Sequence, residues 1–150
     1  MEPPTFFGRH EHSLDSKGRV VLPARFRVHF DSQAFLSQHL DGCLALWTPD
    51  EFGKCLARYS QSQGRSNADR NLARVWAAGS QEVEIDKQGR FAVPQHLMAY
   101  AQLRDRLLIV GAMERIELWN PEQWETRVHP AEANMTYPAD IAAVPADTGS

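Results

Sequence analysis

The order of apolar and polar positions in one part of the chain recurs in another. Residues 14–23 (LDSKGRVVLP) are matched by residues 85–94 (IDKQGRFAVP), 71 positions later. A second match, between residues 46–52 (LWTPDEF) and 118–124 (LWNPEQW), has an offset of 72. A fixed internal offset indicates a duplicated structural unit. Each copy predicts the order strand, turn, strand, short helix, strand and helix.

Each copy is centred on a short turn between two predicted strands. Apolar residues alternate or cluster on both sides, as at Val83 and Phe91, which is typical of half-buried strands. Asp at the first and Gly at the fourth position favour a type I turn followed by a left-handed residue, the geometry of a hairpin bulge. Glycine suits that last position because a side chain resists positive φ.

Proline and capping residues mark where the predicted helices begin. Pro23 and Pro94 end the strands, since proline has no N–H for the ladder, and short helices follow through Phe26 and Leu97. Three pairs have the spacing of an N-cap and its partner, namely Thr48 with Glu51, Ser66 with Asp69, and Asn120 with Gln123.

The remaining apolar segments predict further strands and two longer helices. Apolar runs predict strands at residues 43–47, 107–110 and 116–119. Residues 50–78 predict two helices with a break near Gly64. From Pro130 onwards Ala, Pro, Asp and Thr dominate with little periodicity, so we expect a flexible tail.

The composition is that of a folded, soluble protein. The 150 residues include 16 Lys or Arg and 19 Asp or Glu, a formal net charge of −3, and 43% are hydrophobic. No apolar run approaches the roughly 18 residues of a membrane span, and the N-terminus lacks the order of a signal peptide. We therefore expect a cytoplasmic protein without membrane contact, in which Cys43 and Cys55 are reduced thiols.

No group of residues has the spacing of a catalytic, metal-binding or phosphate-binding site. His10 and His12 fall on one face of a strand, but no third ligand is close in sequence. Gly18 and Gly89 are isolated and lack the order of a phosphate-binding loop. We predict no enzymatic activity, no cofactor and no metal ion.

The remaining candidate chemistry is the pair of turns, each of which carries Asp, Lys, Gly and Arg. A planar guanidinium can form paired hydrogen bonds with a guanine edge or a phosphate, and a two-stranded ribbon fits the major groove. The aspartates would brace the turn or orient the arginine. The alternative is that Asp and Gly are there only because they favour a turn and that the arginine is simply exposed. Turn geometry, however, does not demand Arg in both copies. The candidate DNA-binding residues are Asp15, Lys17, Gly18, Arg19, Asp86, Lys87, Gly89 and Arg90.

The chain is acidic overall, but its charge is unevenly distributed between the two halves. Residues 1–76 hold ten Lys or Arg against eight Asp or Glu, whereas residues 77–150 hold six against eleven. A local positive face is therefore available from the first 30 residues. Few phosphate contacts per protomer would bind DNA weakly, and several protomers side by side would correct this. The cations of this local positive face are Arg9, Lys17, Arg19, Arg25 and Arg27.

The four tryptophans indicate packing more strongly than they indicate a platform for base stacking. They lie at strand ends and on apolar helix faces, where tryptophan usually contributes to a core or a subunit interface. They are Trp47, Trp76, Trp119 and Trp124.

Taken together, these motifs resemble the MraZ family of bacterial transcriptional regulators, which are built from two SpoVT-AbrB-type repeats. The similarity extends over residues 7–124. It is carried by residues 14–19 with Pro23, residues 74–79, residues 86–90 with Pro94, and residues 110–119.

The resemblance implies an α+β fold with a β-rich, barrel-like core, in which two repeats related by a pseudo-twofold axis pack together with short helices. It also implies a ring-shaped homo-oligomer. The implied function is regulation, with repression as the leading hypothesis, through short direct repeats of double-stranded DNA upstream of the division and cell-wall gene cluster. Such a protein would be associated with the nucleoid.

The resemblance places the DNA contacts on the D-x-x-x-R turns, here residues 15–19 and 86–90. An alternative function is an oligomeric protein-interaction module or antitoxin-like partner, which the acidic second half and tail motivate. We expect a first repeat at residues 7–54, a helical connection at 55–79, a second repeat at 80–126 and a flexible tail at 127–150.

Overall fold

The computed structural model describes residues 4–62 and 64–135. Within these residues the chain forms eight strands and five α-helices. The strands are β1 (Phe6–Ser13), β2 (Arg19–Val21), β3 (Gln33–Gln38), β4 (Leu44–Trp47), β5 (Gln81–Glu84), β6 (Arg90–Ala92), β7 (Arg106–Met113) and β8 (Arg115–Trp119). The helices are α1 (Ala24–Arg27), α2 (Pro49–Ser62), α3 (Asn67–Gly79), α4 (Gln95–Ala101) and α5 (Pro121–Arg127). Short 3-10 helices cover Leu40–Gly42 and His129–Asn134.

Six of the strands form one antiparallel sheet in the order β1-β7-β8-β4-β3-β5. The other two, β2 and β6, form a separate antiparallel ribbon. The α+β class is therefore confirmed. The barrel-like core is not found, because in the part of the chain described here no pairing joins the edge strands β1 and β5. β2 and β6 pair with each other and do not extend this sheet.

At the centre of the sheet, β4 is buried on both faces because both sets of its alternating side chains are apolar. On β4, Leu44 and Leu46 join the larger core, which also contains the apolar residues of the ribbon, α1 and α4. Ala45 and Trp47 point to the opposite face and pack against α2 and α3. A third cluster around Trp119 lies beneath α5. The ribbon is therefore held on one face of the sheet and the longer helices on the other.

One strand was missed by the sequence analysis. β3 (Gln33–Gln38) is the first-half counterpart of β7, whereas an additional strand was predicted only in the second half, at residues 107–110. The apolar segment of β3 is only Ala34, Phe35 and Leu36, flanked by Gln and Ser. That run is too short for a clear periodicity, and its position is decided by pairing with β4 and β5.

The strands on either side of each turn do not pair with each other. β1 pairs with β7, β5 pairs with β3, and β2 pairs with β6. The expectation of two hairpins is therefore wrong, although both turns have the predicted geometry. The pairing of β2 with β6 joins a strand of the first half to its own copy in the second half, and it satisfies the backbone hydrogen-bonding groups of both strands.

The predicted helix boundaries are confirmed. α2 ends at Ser62 and α3 begins at Asn67, on either side of the predicted break. Each predicted N-cap accepts a hydrogen bond from an N–H of the first helical turn: Thr48 Oγ1 at 3.3 Å, Ser66 Oγ at 3.0 Å, and Asn120 Oδ1 at 2.8 and 3.2 Å.

Both cysteines are buried and form no disulfide, as predicted. Trp47, Trp76 and Trp119 are buried in the second and third clusters, and Trp124 packs against Trp119 with ring centroids 5.6 Å apart. These contacts confirm the prediction that the tryptophans contribute to packing.

The expected tail is described only in part. Residues 127–135 include the second 3-10 helix, and residues 136–150 lie outside the described residues. Among the helices described, none combines the length and apolar character needed to cross a bilayer.

Candidate nucleic-acid interface

The first turn is closed by backbone hydrogen bonds between Asp15, Gly18 and Arg19. The N–H of Gly18 donates to the carbonyl of Asp15 at 3.0 Å, and the N–H of Asp15 donates to the carbonyl of Arg19 at 2.9 Å. Gly18 has a φ of 74°, in the left-handed region that favours glycine. The type I turn followed by a left-handed glycine is confirmed.

The carboxylate of Asp15 fixes both the turn and the arginine that follows it. Its Oδ1 accepts hydrogen bonds from the N–H of Lys17 at 2.8 Å and of Arg19 at 2.9 Å. Its Oδ2 accepts a hydrogen bond from Arg19 Nε at 2.8 Å. One side chain therefore braces the turn and orients the guanidinium, the two roles predicted for this residue.

The second turn repeats this arrangement. Asp86 Oδ1 accepts hydrogen bonds from the N–H groups of Gln88 and Arg90, both at 2.9 Å, and Oδ2 accepts from Arg90 Nε at 2.8 Å. The N–H of Gly89 donates to the carbonyl of Asp86 at 2.9 Å, and Gly89 has a φ of 82°. The same short sequence pattern therefore folds in the same way at two places.

These hydrogen bonds hold both aspartates in the charged form. The backbone N–H of Arg19 is the main reason that the pKa of Asp15 lies below its ordinary value, and the Arg19 side chain adds to the effect. Arg90 lowers the pKa of Asp86 in the same way. At neutral pH both arginines are therefore oriented by an ionised carboxylate.

The ribbon places the two arginines on one face. Arg19 lies opposite Ala92, Val21 lies opposite Arg90, and Val20 lies opposite Phe91, the residue 71 positions later. Because opposed residues of antiparallel strands share a face and successive residues alternate, Arg19 and Arg90 point the same way. Val20 and Phe91 point the other way, and each is only 1% exposed.

Two further hydrogen bonds tie each turn to the strand of the other half. The N–H of Leu22 donates to the carbonyl of Gly89 at 2.8 Å, and the N–H of Val93 donates to the carbonyl of Gly18 at 2.9 Å. Each bond is the counterpart of the other at the offset of 71. The positions of the two turns relative to each other are thus set by backbone bonding.

The outward-facing parts of both arginines remain available. The Arg19 and Arg90 side chains are 31% and 34% exposed, so neither is enclosed in the core. Nε is bonded to aspartate, but among the described residues neither Nη1 nor Nη2 of these arginines has a hydrogen-bond or ion-pair partner. Their backbones are two residues apart along the ribbon, about 7 Å, and about 5 Å apart across it.

The lysines of the two turns are exposed but occupy different positions. Lys17 is the third residue of the first turn, and Lys87 is the second residue of the second turn. Neither forms an ion pair with any residue the structure describes. Each turn therefore combines one oriented guanidinium with one freely positioned ammonium group.

Comparison with known proteins gives these turns a family context. A family model described as "MraZ protein, putative antitoxin-like" matches the chain twice, over residues 5–75 and residues 76–143. The two matches start 71 residues apart, which is the offset of the turns. The chain belongs to the MraZ family. The internal duplication and the resemblance inferred from the sequence are both confirmed.

Individual MraZ proteins are similar over most of their length. The transcriptional regulator MraZ of Pediococcus pentosaceus is 35% identical over 130 residues, which cover 87% of this chain and 91% of that protein. The protein of the same name from Halothermothrix orenii is 34% identical over 144 residues, or 96% and 99% of the two chains. That from Finegoldia magna is 33% identical over 135 residues, or 90% and 94%.

Two residues cover the turns of this MraZ chain, and the sequence analysis did not predict either contact, although it named Arg27 among the early cations. Met98 of α4 lies over the first turn, and a Cβ on Gly18 would be 3.6 Å from its Sδ. Arg27, the last residue of α1, lies over the second turn, and a Cβ on Gly89 would be only 2.8 Å from its Cζ. Arg27 is the fourth residue after Pro23, and Met98 is the fourth residue after Pro94. The two covering residues are therefore equivalent positions of the repeat, and the offset of 71 is the sequence signal that could have identified them.

The early cluster of cations does not gather at a single turn. Lys17 and Arg19 belong to the first turn, whereas Arg27 lies beside the second. The guanidinium of Arg25 lies over the ring of Phe7, 4.6 Å from its centroid. The single positive face expected from the first 30 residues stays a prediction.

The histidine pair on β1 has packing contacts of its own. The His10 and His12 rings are 6.4 Å apart, and His10 packs edge-on against Phe26 at 5.4 Å. In the part of the chain that the structure describes, no three His, Cys, Asp or Glu residues are placed to hold a metal ion together.

Proposed function

We propose that this MraZ chain is a transcriptional regulator that binds double-stranded DNA sequence-specifically through the outward face of the β2–β6 ribbon. The observation that carries this proposal is that Arg19 and Arg90 share one exposed face, with their Nη groups unpaired among the described residues and their Nε groups held by aspartate. The regulatory role is supported by relatives that carry the name transcriptional regulator MraZ.

The geometry suits recognition of a base edge. A guanidinium can donate two hydrogen bonds to O6 and N7 of guanine, and this is the commonest specific contact in the major groove. Because Asp15 and Asp86 already orient the arginines, less side-chain entropy is lost on binding. A two-stranded ribbon fits a groove about 12 Å wide, so both arginines can reach base edges together.

The other residues of the turns support this contact. We assign phosphate contacts to Lys17 and Lys87, since exposed ammonium groups without ion-pair partners release counterions when they bind DNA. Gly18 and Gly89 permit the left-handed backbone that places the arginine next to the turn. In this proposal the aspartates orient the arginines and do not contact the anionic DNA.

We also propose an approximate twofold axis through the ribbon that relates the two repeats. Val20 faces Phe91, its own copy, and the hydrogen bonds of Leu22 and Val93 exchange under the same offset. The proposed extent of the repeats is residues 7–54 and 80–126, joined by a helical connection at 55–79.

Several copies of the chain would strengthen binding to an array of sites. One protomer offers few phosphate contacts, whereas a ring-shaped homo-oligomer aligned with short direct repeats would add the contacts of neighbouring protomers. We propose repression of the division and cell-wall gene cluster from such repeats, a nucleoid-associated location and no enzymatic activity. The support for these points is the family resemblance.

The test is a titration of DNA carrying promoter repeats, followed by fluorescence anisotropy at several salt concentrations. Arg19→Ala and Arg90→Ala should each cost about 1–3 kcal/mol per protomer, or about 5- to 150-fold in affinity, if the arginines read bases. Arg65→Ala is the matched control, because Arg65 is exposed on the loop between α2 and α3. Unchanged affinity in both turn variants would refute the proposal.

A conservative variant separates base recognition from general attraction to phosphate. Arg19→Lys keeps the charge but loses the planar fork, so it should retain salt-dependent binding and lose preference for the intended base pair. The variant's binding should be compared on the promoter repeat and on the same DNA with one base pair changed. Full retention of that preference would show that Arg19 does not read a base.

A protein-interaction module remains the second candidate function. It is favoured by the antitoxin-like description of the family model and by three exposed apolar residues on α2 and α3, Leu56, Leu72 and Val75. This candidate predicts a co-purifying protein whose complex retains no DNA. It also predicts that the isolated chain lacks salt-dependent affinity for promoter DNA.

A further inference from the structure

The two turns carry different residues at the position that covers the turn glycine. At the first turn this residue is Met98, whose Sδ would make an ordinary contact of 3.6 Å with a Cβ on Gly18. At the second turn it is Arg27, whose Cδ and Cζ would lie 3.0 and 2.8 Å from a Cβ on Gly89. The first half of the chain therefore places a guanidinium directly against the turn of the second half.

This guanidinium lacks a counterion of its own. Among the described residues Arg27 forms no ion pair and no side-chain hydrogen bond, although Asp86 belongs to the same turn. The Asp86 carboxylate is already bonded to Arg90 and to two backbone N–H groups. Arg27 therefore adds a third cation, after Lys87 and Arg90, to a turn whose one carboxylate is already bonded, and this excess of positive charge attracts an anion.

We infer that Arg27 binds a DNA phosphate at the second turn and that this turn contributes more to the salt-dependent part of DNA affinity than the first. The inference rests on the proposed function. We assign Arg27 a phosphate and not a base edge because it belongs to α1 and lies against the backbone of Gly89, whereas Arg19 and Arg90 are on the ribbon strands themselves.

The chain supplies a matched variant for the test. Arg27→Met places at the second turn the residue that already covers the first, so it removes the charge and preserves a similar packing contact. Met98→Arg is the reverse change, and Arg27→Lys keeps the charge. Arg65→Met removes an exposed arginine from the loop between α2 and α3 and serves as the control.

The measurement is the slope of log affinity against log salt concentration, using the full chain and promoter DNA. Arg27→Met should reduce the magnitude of the slope by about 0.9 for each phosphate that the variant no longer binds. Met98→Arg should increase it, and Arg27→Lys should leave it near that of the unmodified chain. The ratio of affinities for the promoter repeat and a DNA with one base pair changed should stay constant in Arg27→Met, since phosphate contacts carry no sequence information.

The possible outcomes separate this inference from the proposed function. If the unmodified chain shows no salt-dependent DNA binding, the proposed function fails. If it binds but Arg27→Met has the same slope as Arg65→Met, the inference alone is overturned. A changed base preference in Arg27→Met would also overturn it, because Arg27 would then read a base. If a urea titration shows that Arg27→Met is not folded in the absence of urea, the slopes of Met98→Arg and Arg27→Lys decide. An unchanged slope in Met98→Arg then counts against the inference.

Discussion

The two turns of the ribbon have the same internal structure and different surroundings. In each, an aspartate accepts hydrogen bonds from two backbone N–H groups and from the Nε of the following arginine, with closely similar distances. The first turn is covered by the thioether of Met98 and the second by the guanidinium of Arg27. The interior of the turn is repeated, but its cover is not.

The difference shows how the two copies of a duplicated unit can come to have different surroundings. Residues within five positions of one another set the hydrogen bonds of each turn, so the pattern survives wherever Asp, Gly and Arg keep their spacing. The cover of each turn comes from the opposite half of the chain. One substitution at the covering position therefore changes the charge beside a turn without altering its backbone.

The largest effect should come from breaking the ribbon that both turns share. Phe91 is 1% exposed and lies opposite Val20 at the centre of the ribbon. Phe91→Ala removes most of a buried aromatic side chain and should cost about 3–5 kcal/mol of unfolding free energy, measured by urea titration.

The exposed face of the same ribbon supplies the control. Val21 is 41% exposed, and Val21→Ala should change stability by less than about 1 kcal/mol. Similar losses in Phe91→Ala and Val21→Ala would contradict the assignment of the two faces.

The two turn glycines should respond differently to the same substitution. Gly18→Ala and Gly89→Ala each force an alanine into the left-handed region, which should cost about 1–2 kcal/mol. Gly89→Ala should cost more, because its Cβ also displaces Arg27, whereas the Cβ at residue 18 meets Met98 at an ordinary distance. Urea titration of both variants measures the difference.

A double-mutant cycle identifies the origin of that difference. In an Arg27→Ala background the covering guanidinium is absent, so the excess cost of Gly89→Ala over Gly18→Ala should disappear. An excess that persists in this background would show that Arg27 is not its cause.

The smallest effect is the response to acid, which should be alike in the two turns. Hydrogen bonds from Arg19 and Arg90 lower the pKa of Asp15 and Asp86 below the ordinary value of about 3.9. A carboxyl whose pKa is lower in the folded state contributes stability above its unfolded pKa and loses it as the pH falls through the folded value.

The turns should therefore be unaffected between pH 7 and pH 5 and should loosen only at pH values below the ordinary carboxyl pKa. NMR titration of the two carboxyl groups measures this directly, and Asp15→Asn should remove the transition at the first turn only. A carboxyl group that titrates at or above about 3.9 would contradict the hydrogen-bonded geometry.

The elements that could be predicted are those that depend on near neighbours in the chain. The turn geometry, the three N-caps and the break between α2 and α3 each follow from residues a few positions apart, and all were correct. β3 was missed because its apolar run is short, and its place depends on β4 and β5. Arg27 was noticed only as one of several early cations, since nothing in its neighbourhood indicates a contact with Gly89.

By itself, the amino-acid sequence determined that the chain is duplicated, that each copy contains a braced Asp–Gly–Arg turn, and that the chain resembles the MraZ family. Only the tertiary structure decided that β2 pairs with β6, that both arginines share an exposed face, and that Met98 and Arg27 cover the turns of the opposite half. The physical reason is distance along the chain. A turn is closed by hydrogen bonds across four residues, whereas the ribbon and its covers join positions about 70 residues apart, which are selected by burial of the whole core.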